Sequence, residues 1–199
     1  MLNGPLFFKI LVFALPLAAS SLLQQLFNSV DVAVVGRFAS SKALAAVGSN
    51  APVISLLINL FVGISMGANV VISNHLGQRD DESTRRAVST VSLVAIISGF
   101  VLMCLGIGVS RPILEMMDTP ADVLDMAVLY LRIYFIGIPF FLIFNFGAAI
   151  LRSVGDTRRP LYILVAAGIV NTLLNLFFVI CLGMGVEGVA IATAIANVL

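Results

Sequence analysis

Residues 5–36 read PLFFKILVFALPLAASSLLQQLFNSVDVAVVG, with Lys9 and Asp31 as the only charged side chains. A hydrocarbon core about 30 Å thick is crossed by about 20 helical residues rising about 1.5 Å each. The stretch is therefore long enough to span a bilayer, and that decides the fold class. Working outward, four more apolar stretches bounded by charge follow at 43–76, 87–109, 123–151 and 160–182. A sixth begins near Val186 and is still apolar at Leu199. Its 14 residues reach only about 21 Å at helical rise. The expectation is an all-α integral membrane protein, a six-span helical bundle whose sixth span is truncated, and a chain that is a piece of a longer protein. Transmembrane β-strands need only about 9–11 residues of alternating polarity, so a barrel is excluded. Lys9 followed by an apolar run to Ala18-Ala19-Ser20 has the look of a secretory signal, but the run continues unbroken through Gln24 and Asp31 to Gly36.

Composition agrees. Apolar residues make up 60% and charged residues 11%, against about 45–50% and about 25% in ordinary soluble domains. A mean hydropathy of +1.13 and a net charge of +1 exclude a disordered tail or a nucleic-acid-binding domain. Cys104 and Cys181 lie in apolar runs with no metal or disulfide spacing, and with one histidine a histidine-rich metal site is excluded. His75 stands alone beside a loop, no serine is placed near it, and no Gly-Lys-Ser/Thr follows the glycine-rich segments. Neither an enzyme nor a cofactor is expected, and no filter-like carbonyl loop argues for a channel.

Lysine and arginine in short loops set orientation. Lys9, Arg79, Arg85, Arg86, Arg152, Arg158 and Arg159 fall on one side, and Arg37, Lys42 and Arg111 on the other. Seven against three predicts a cytoplasmic N-terminus in the cytoplasmic membrane. The remaining basic residue, Arg132, lies about two turns into the fourth span, where a long side chain can snorkel to the outer interface. Gly77-Gln78-Arg79-Asp80-Asp81-Glu82-Ser83 reads as a charged turn with Ser83 capping the third helix. Gly63-x-x-x-Gly67 and Gly188-x-x-x-Ala192 offer small faces for close helix contact, and Pro16 and Pro139 can kink their spans.

Asp31 is the acid at membrane depth. It lies roughly 9 Å inside Arg37 along the helix, and an ionised carboxylate there costs at least about 2.5–3.5 kcal/mol. A carboxyl group retained at that cost can carry a proton, hold a sodium ion or attract a cationic ligand. Gln24, Asn28 and Asp31 share one helical stripe, and Asn171 and Asn175 repeat the four-residue spacing in span five, with Thr172 beside them. Asn145 in span four and Thr193 in span six add polar groups at membrane depth. These residues are expected to converge on a hydrated cavity between spans one, five and six, with Asp31 its only acid. Interhelical hydrogen bonding, worth about 0.6–2 kcal/mol per contact, is the purely structural account and suffices for Asn145 or Thr193 alone.

Leu15-Pro16, the run Gln24-Gln25-Leu26-Phe27-Asn28-Ser29-Val30-Asp31, Val35-Gly36-Arg37 and Ala43-Leu44-Ala45-Ala46-Val47-Gly48 resemble the opening of multidrug and toxic compound extrusion (MATE) transporters. The resemblance continues in order through Gly63-Ile64-Ser65-Met66-Gly67-Ala68, Gly77-Gln78-Arg79-Asp80, Leu151-Arg152-Ser153-Val154-Gly155-Asp156 and Gly183-Met184-Gly185-Val186-Glu187-Gly188-Val189-Ala190. It implies a twelve-span antiporter of two six-span lobes in which this chain is most of the N-terminal lobe. Its partners would be membrane lipid, the C-terminal lobe and a small organic cation, exported against inward proton or sodium flux. In the branch resembling the DNA-damage-inducible F proteins, Asp31 matches the cation-coupling acid, Asn171 a polar partner in span five, Tyr130 one in span four and Thr193 one in span six. Some members carry an acid where this chain has Asn175 and a tyrosine where it has Phe27. A single acid favours proton over two-acid sodium coupling. Two alternatives stay open: a lipid-linked oligosaccharide flippase of the same superfamily, which would want several intramembrane arginines where only Arg132 is present, and a non-transporting six-span scaffold, which leaves Asp31 among amides unexplained.

Overall fold

A computed structural model describes residues 6–198. Pro5 and Leu199, expected bounds of the first and last spans, and the side chain of Lys9 lie outside the described residues. The helices are α1 (Leu6–Phe38), α2 (Ser41–Gly77), α3 (Asp81–Met116), α4 (Ala121–Ser153), α5 (Arg158–Leu176) and α6 (Val186–Val198), with a π-helical turn, Phe177–Cys181, closing α5. Five of them, counting α5 with its π turn, are long and apolar enough to cross a membrane, and α6 is a shorter apolar helix. The chain is a multi-pass membrane protein. At 33 to 37 residues, α1 to α4 exceed the bilayer core, which is accommodated by tilt or by ends standing beyond the hydrocarbon.

Local capping sets the starts of α2 and α3. Ser40 caps α2 by accepting from the Ala43 amide at 3.2 Å. Asp80, rather than Ser83, caps α3: its carboxylate accepts from the Ser83 amide at 2.9 Å, which places Ser83 inside the first turn. An anionic cap also favours the positive end of the helix dipole, an advantage a serine lacks. Between α4 and α5 the chain turns at Gly155, which has φ +88°, and Asp156 accepts from the Arg158 and Arg159 amides. Pro16, Pro52, Pro112 and Pro139 all lie within helices. At Pro16 the carbonyl is taken up by the Ser20 hydroxyl at 2.8 Å.

The bundle is two groups of three helices joined through α4. On one side α3 packs against α4 and α2, and on the other α1 packs chiefly against α5, which packs against α6. The α4–α6 contact joins the groups. Val123, Ala127, Leu131, Phe135, Ile138, Leu142 and Phe146 bury the inner face of α4. Asn50 of α2 donates to the Ala127 carbonyl at 3.1 Å and Asn69 to the Ala149 carbonyl at 2.8 Å, two polar ties between α2 and α4.

Glycines set the closest approaches, but not those singled out by the Gly63-x-x-x-Gly67 motif. A Cβ at Gly63 or Gly67 would meet nothing within 4 Å. At Gly99 it would meet the Pro139 Cα at 2.8 Å, at Gly106 the Phe135 ring at 2.1 Å, and at Gly188 the Cβ atoms of Phe178 and Met184 at 2.9 Å. Spacing identifies a small-residue face, whereas the direction that face takes depends on where the neighbouring helices lie.

Candidate functional site

Asp31 sits on the α1 face turned toward α5 and is partly buried. Its Oδ1 accepts a hydrogen bond from Asn175 Nδ2 at 2.5 Å. The same amide nitrogen donates to Asn171 Oδ1 at 3.2 Å, one turn back along α5. Asn171 Nδ2 in turn donates to Thr193 Oγ1 of α6 at 3.3 Å, and the Thr193 hydroxyl donates to the Val189 carbonyl at 2.9 Å. The result is one continuous polar line from α1 through α5 to α6. Every donor along it is neutral, and Asp31 is its single acid.

Asn175 is fully buried and Asn171 nearly so. The Asn175 Oδ1 is buried without a partner among the described residues. A buried polar atom left idle is costly and uncommon, and this one sits next to the only carboxylate of the line. Phe27, one turn before Asp31, packs its ring against Gly168 of α5.

The other expected residues divide. Gln24 and Asn28 continue the Asp31 stripe but are exposed, turned away from the helices of this chain. Tyr130 is buried on α4, stacks on Tyr134 with ring centroids 6.5 Å apart, and lies within electrostatic reach of Asp31. Asn145 stays out of the line: its amide donates to the Phe141 carbonyl of its own helix at 2.8 Å. Arg132 is exposed. Asp31 and Asn175 meet by a direct hydrogen bond, because α1 and α5 lie close enough for an asparagine to bridge them. A hollow of about 310 Å³ lies elsewhere, lined by apolar residues of α2, α3 and α4 such as Leu57, Leu102, Gly106 and Phe135.

Sequence reading missed Asn50, whose side chain is also fully buried with an idle Oδ1. Its signal was an amide inside a long apolar span, less clear than that of Asn145 because Ser49 stands beside it.

Comparison with known proteins then decides the family, since the MatE profile matches residues 16–177. The chain belongs to the MatE family. MatE members are transport proteins rather than enzymes. Among curated MatE relatives, the probable multidrug resistance protein YoeA of Bacillus subtilis is 32% identical over 94% of this chain and 41% of its own length. The multidrug export protein MepA of Staphylococcus aureus is 25% identical over 98% of this chain and 44% of its own. The chain thus spans less than half the length of these relatives. A solved outward-facing MATE transporter matches with a TM-score of 0.89 at 27% identity, over 96% of this chain and 42% of that one. An inward-facing one matches with a TM-score of 0.82 at 26% identity, over 94% and 43%.

Proposed function

We propose that this chain is the N-terminal lobe of a cation-coupled antiporter that exports organic cations across the cytoplasmic membrane by alternating access, with protons as the coupling ion. The likeness to a probable multidrug resistance protein and a multidrug export protein supports drug export, and the acid at membrane depth supports cationic drugs. The N-terminus is cytoplasmic in this reading, and the remaining half supplies a second six-span lobe in parallel orientation.

The observation that carries the proposal is the bonded line Asp31–Asn175–Asn171–Thr193 with one acid at its end. With Asp31 ionised, Asn175 Nδ2 donates to it, and the negative charge draws an organic cation toward the exposed Gln24 and Asn28. Protonation removes that charge and turns one carboxyl oxygen into an O–H donor. The idle Asn175 Oδ1 is the adjacent acceptor, and reaching it rotates the Asn175 amide, which takes Nδ2 off Asn171. One proton therefore loosens the cation's attraction and breaks the polar line between Asn175 and Asn171, the residue that carries the tie to α6. Coupling needs this difference in affinity between states, because a ligand bound equally by both shifts nothing.

The test is Asp31→Asn in the full-length protein. In proteoliposomes, counter-transport of an organic cation driven by a pH gradient is expected to be abolished. Transport that stays fully pH-driven eliminates the assignment.

A further inference from the structure

Gly168 lies on α5 seven residues before Asn175 and is buried. A Cβ built there would meet the Phe27 ring at 2.0 Å (Cε2), 2.2 Å (Cζ) and 2.4 Å (Cδ2), so the ring fills the space any other side chain would use. Phe27 and Asp31 are four residues apart and share the α1 face turned to α5. The α1–α5 contact therefore has two fixed points: a ring seated in a notch and, one turn farther along α1, the Asp31–Asn175 hydrogen bond.

From this geometry we infer that Gly168 is a positioning residue for Asp31: the notch sets the α1–α5 separation at which the carboxylate meets the Asn175 amide. A hydrogen bond of this type holds only over a few tenths of an ångström and weakens steeply with misalignment. A methyl group at position 168 must push the ring out of the notch, and either α1 moves away or the ring swings toward the carboxylate. The inference rests on the reading of Asp31 as the coupling acid.

A second notch of the same kind supplies the control. A Cβ at Gly106 on α3 would meet the Phe135 ring of α4 at 2.1 Å, and α3 has no contact with α1. If ring-in-notch packing mattered only for assembly, the two sites would respond alike. Few other groups can contribute to the pH response near Asp31. The elements packed on α1 are α2, α5, the π turn and α6. Their ionisable side chains are Lys42 and His75 on α2, Arg158, Arg159 and Tyr162 on α5, Cys181 in the π turn and Glu187 on α6, all toward the ends of those elements. On α1 itself Arg37 lies near the helix end, and from α4 Tyr130 is within electrostatic reach.

The experiment measures ethidium counter-transport against pH in proteoliposomes of the full-length protein. Gly168→Ala is expected to displace the midpoint of the pH–rate profile by about one pH unit, the scale on which hydrogen bonding moves a carboxyl group. Gly168→Ala with Phe27→Leu, which returns room to the notch, is expected to bring the midpoint back. Gly106→Ala is expected to lower thermal stability and leave the midpoint in place. Phe27→Leu alone empties the notch and is expected to displace the midpoint too, which keeps the test decisive if Gly168→Ala does not assemble. An unmoved midpoint in folded Gly168→Ala or Phe27→Leu protein, or an equal displacement in Gly106→Ala, overturns the inference. Persisting pH dependence in Asp31→Asn instead removes the reading beneath it, whatever Gly168 does.

Discussion

A carboxylate beside an amide is a small difference in composition with a large difference in consequence, depending on where the pair sits. Asp31 could be found by reading because its cost in hydrocarbon marks it, and Asn171, Asn175 and Thr193 because amides and hydroxyls are sparse in apolar helices. Which of these touch could not be read: Gln24 and Asn28 share the Asp31 stripe yet are exposed, while Asn145 bonds within its own helix. Helical spacing orders residues around one axis and says nothing of the distance to the next. At the start of α3, the Ser83 backbone amide and side chain, with nearby His75, hold the Asp80 carboxyl below the value of 3.8 it has when free. A depressed value in the folded state means that this cap contributes stability above pH 3.8, and that the contribution is lost as pH falls through the folded-state value. Asp80→Ala is expected to lower the melting temperature at neutral pH, with the gap to the parent closing under strong acid. Thermal scans in detergent at a series of pH values check this.

Between helices, contact depends on which glycine meets which ring. Gly106→Ala drives a methyl group into Phe135, an overpacking worth about 1–3 kcal/mol. Gly63→Ala, with open space around it, is expected to be neutral or to stabilise by up to about 1 kcal/mol through helix propensity. Denaturation of the chain in micelles separates the two, and a cost of Gly63→Ala confined to the full-length protein would place the second half against α2. Five long apolar helices and a shorter sixth were legible because length and hydropathy follow directly from bilayer thickness. The π turn was not, since Phe177-Phe178-Val179-Ile180-Cys181 is an apolar run whose composition suits an α-helix equally well. Its neighbour is α6, which begins against it, with Gly188 lying on Phe178 and Met184.

For the molecule as a whole, the bias of basic residues orients every loop at once. In a background with Cys104 and Cys181 replaced by serine, Met117→Cys is expected to react with a membrane-impermeant maleimide on intact cells, and Gln78→Cys only after lysis. The reverse pattern would invert the protein and with it the side from which Asp31 is reached. The two helical groups also have different tasks: α2, α3 and α4 supply the broad apolar mass, while α1, α5 and α6 carry the acid and its amides. The relation between those last three passes through the π turn. Removing one residue from 177–181 would close the π turn to an ordinary α-helical one and draw the connection to α6 back by one position, which is expected to take Thr193 off Asn171 with no change in any side chain's chemistry. In that segment heredity has to keep the tally of letters and is free to change the spelling.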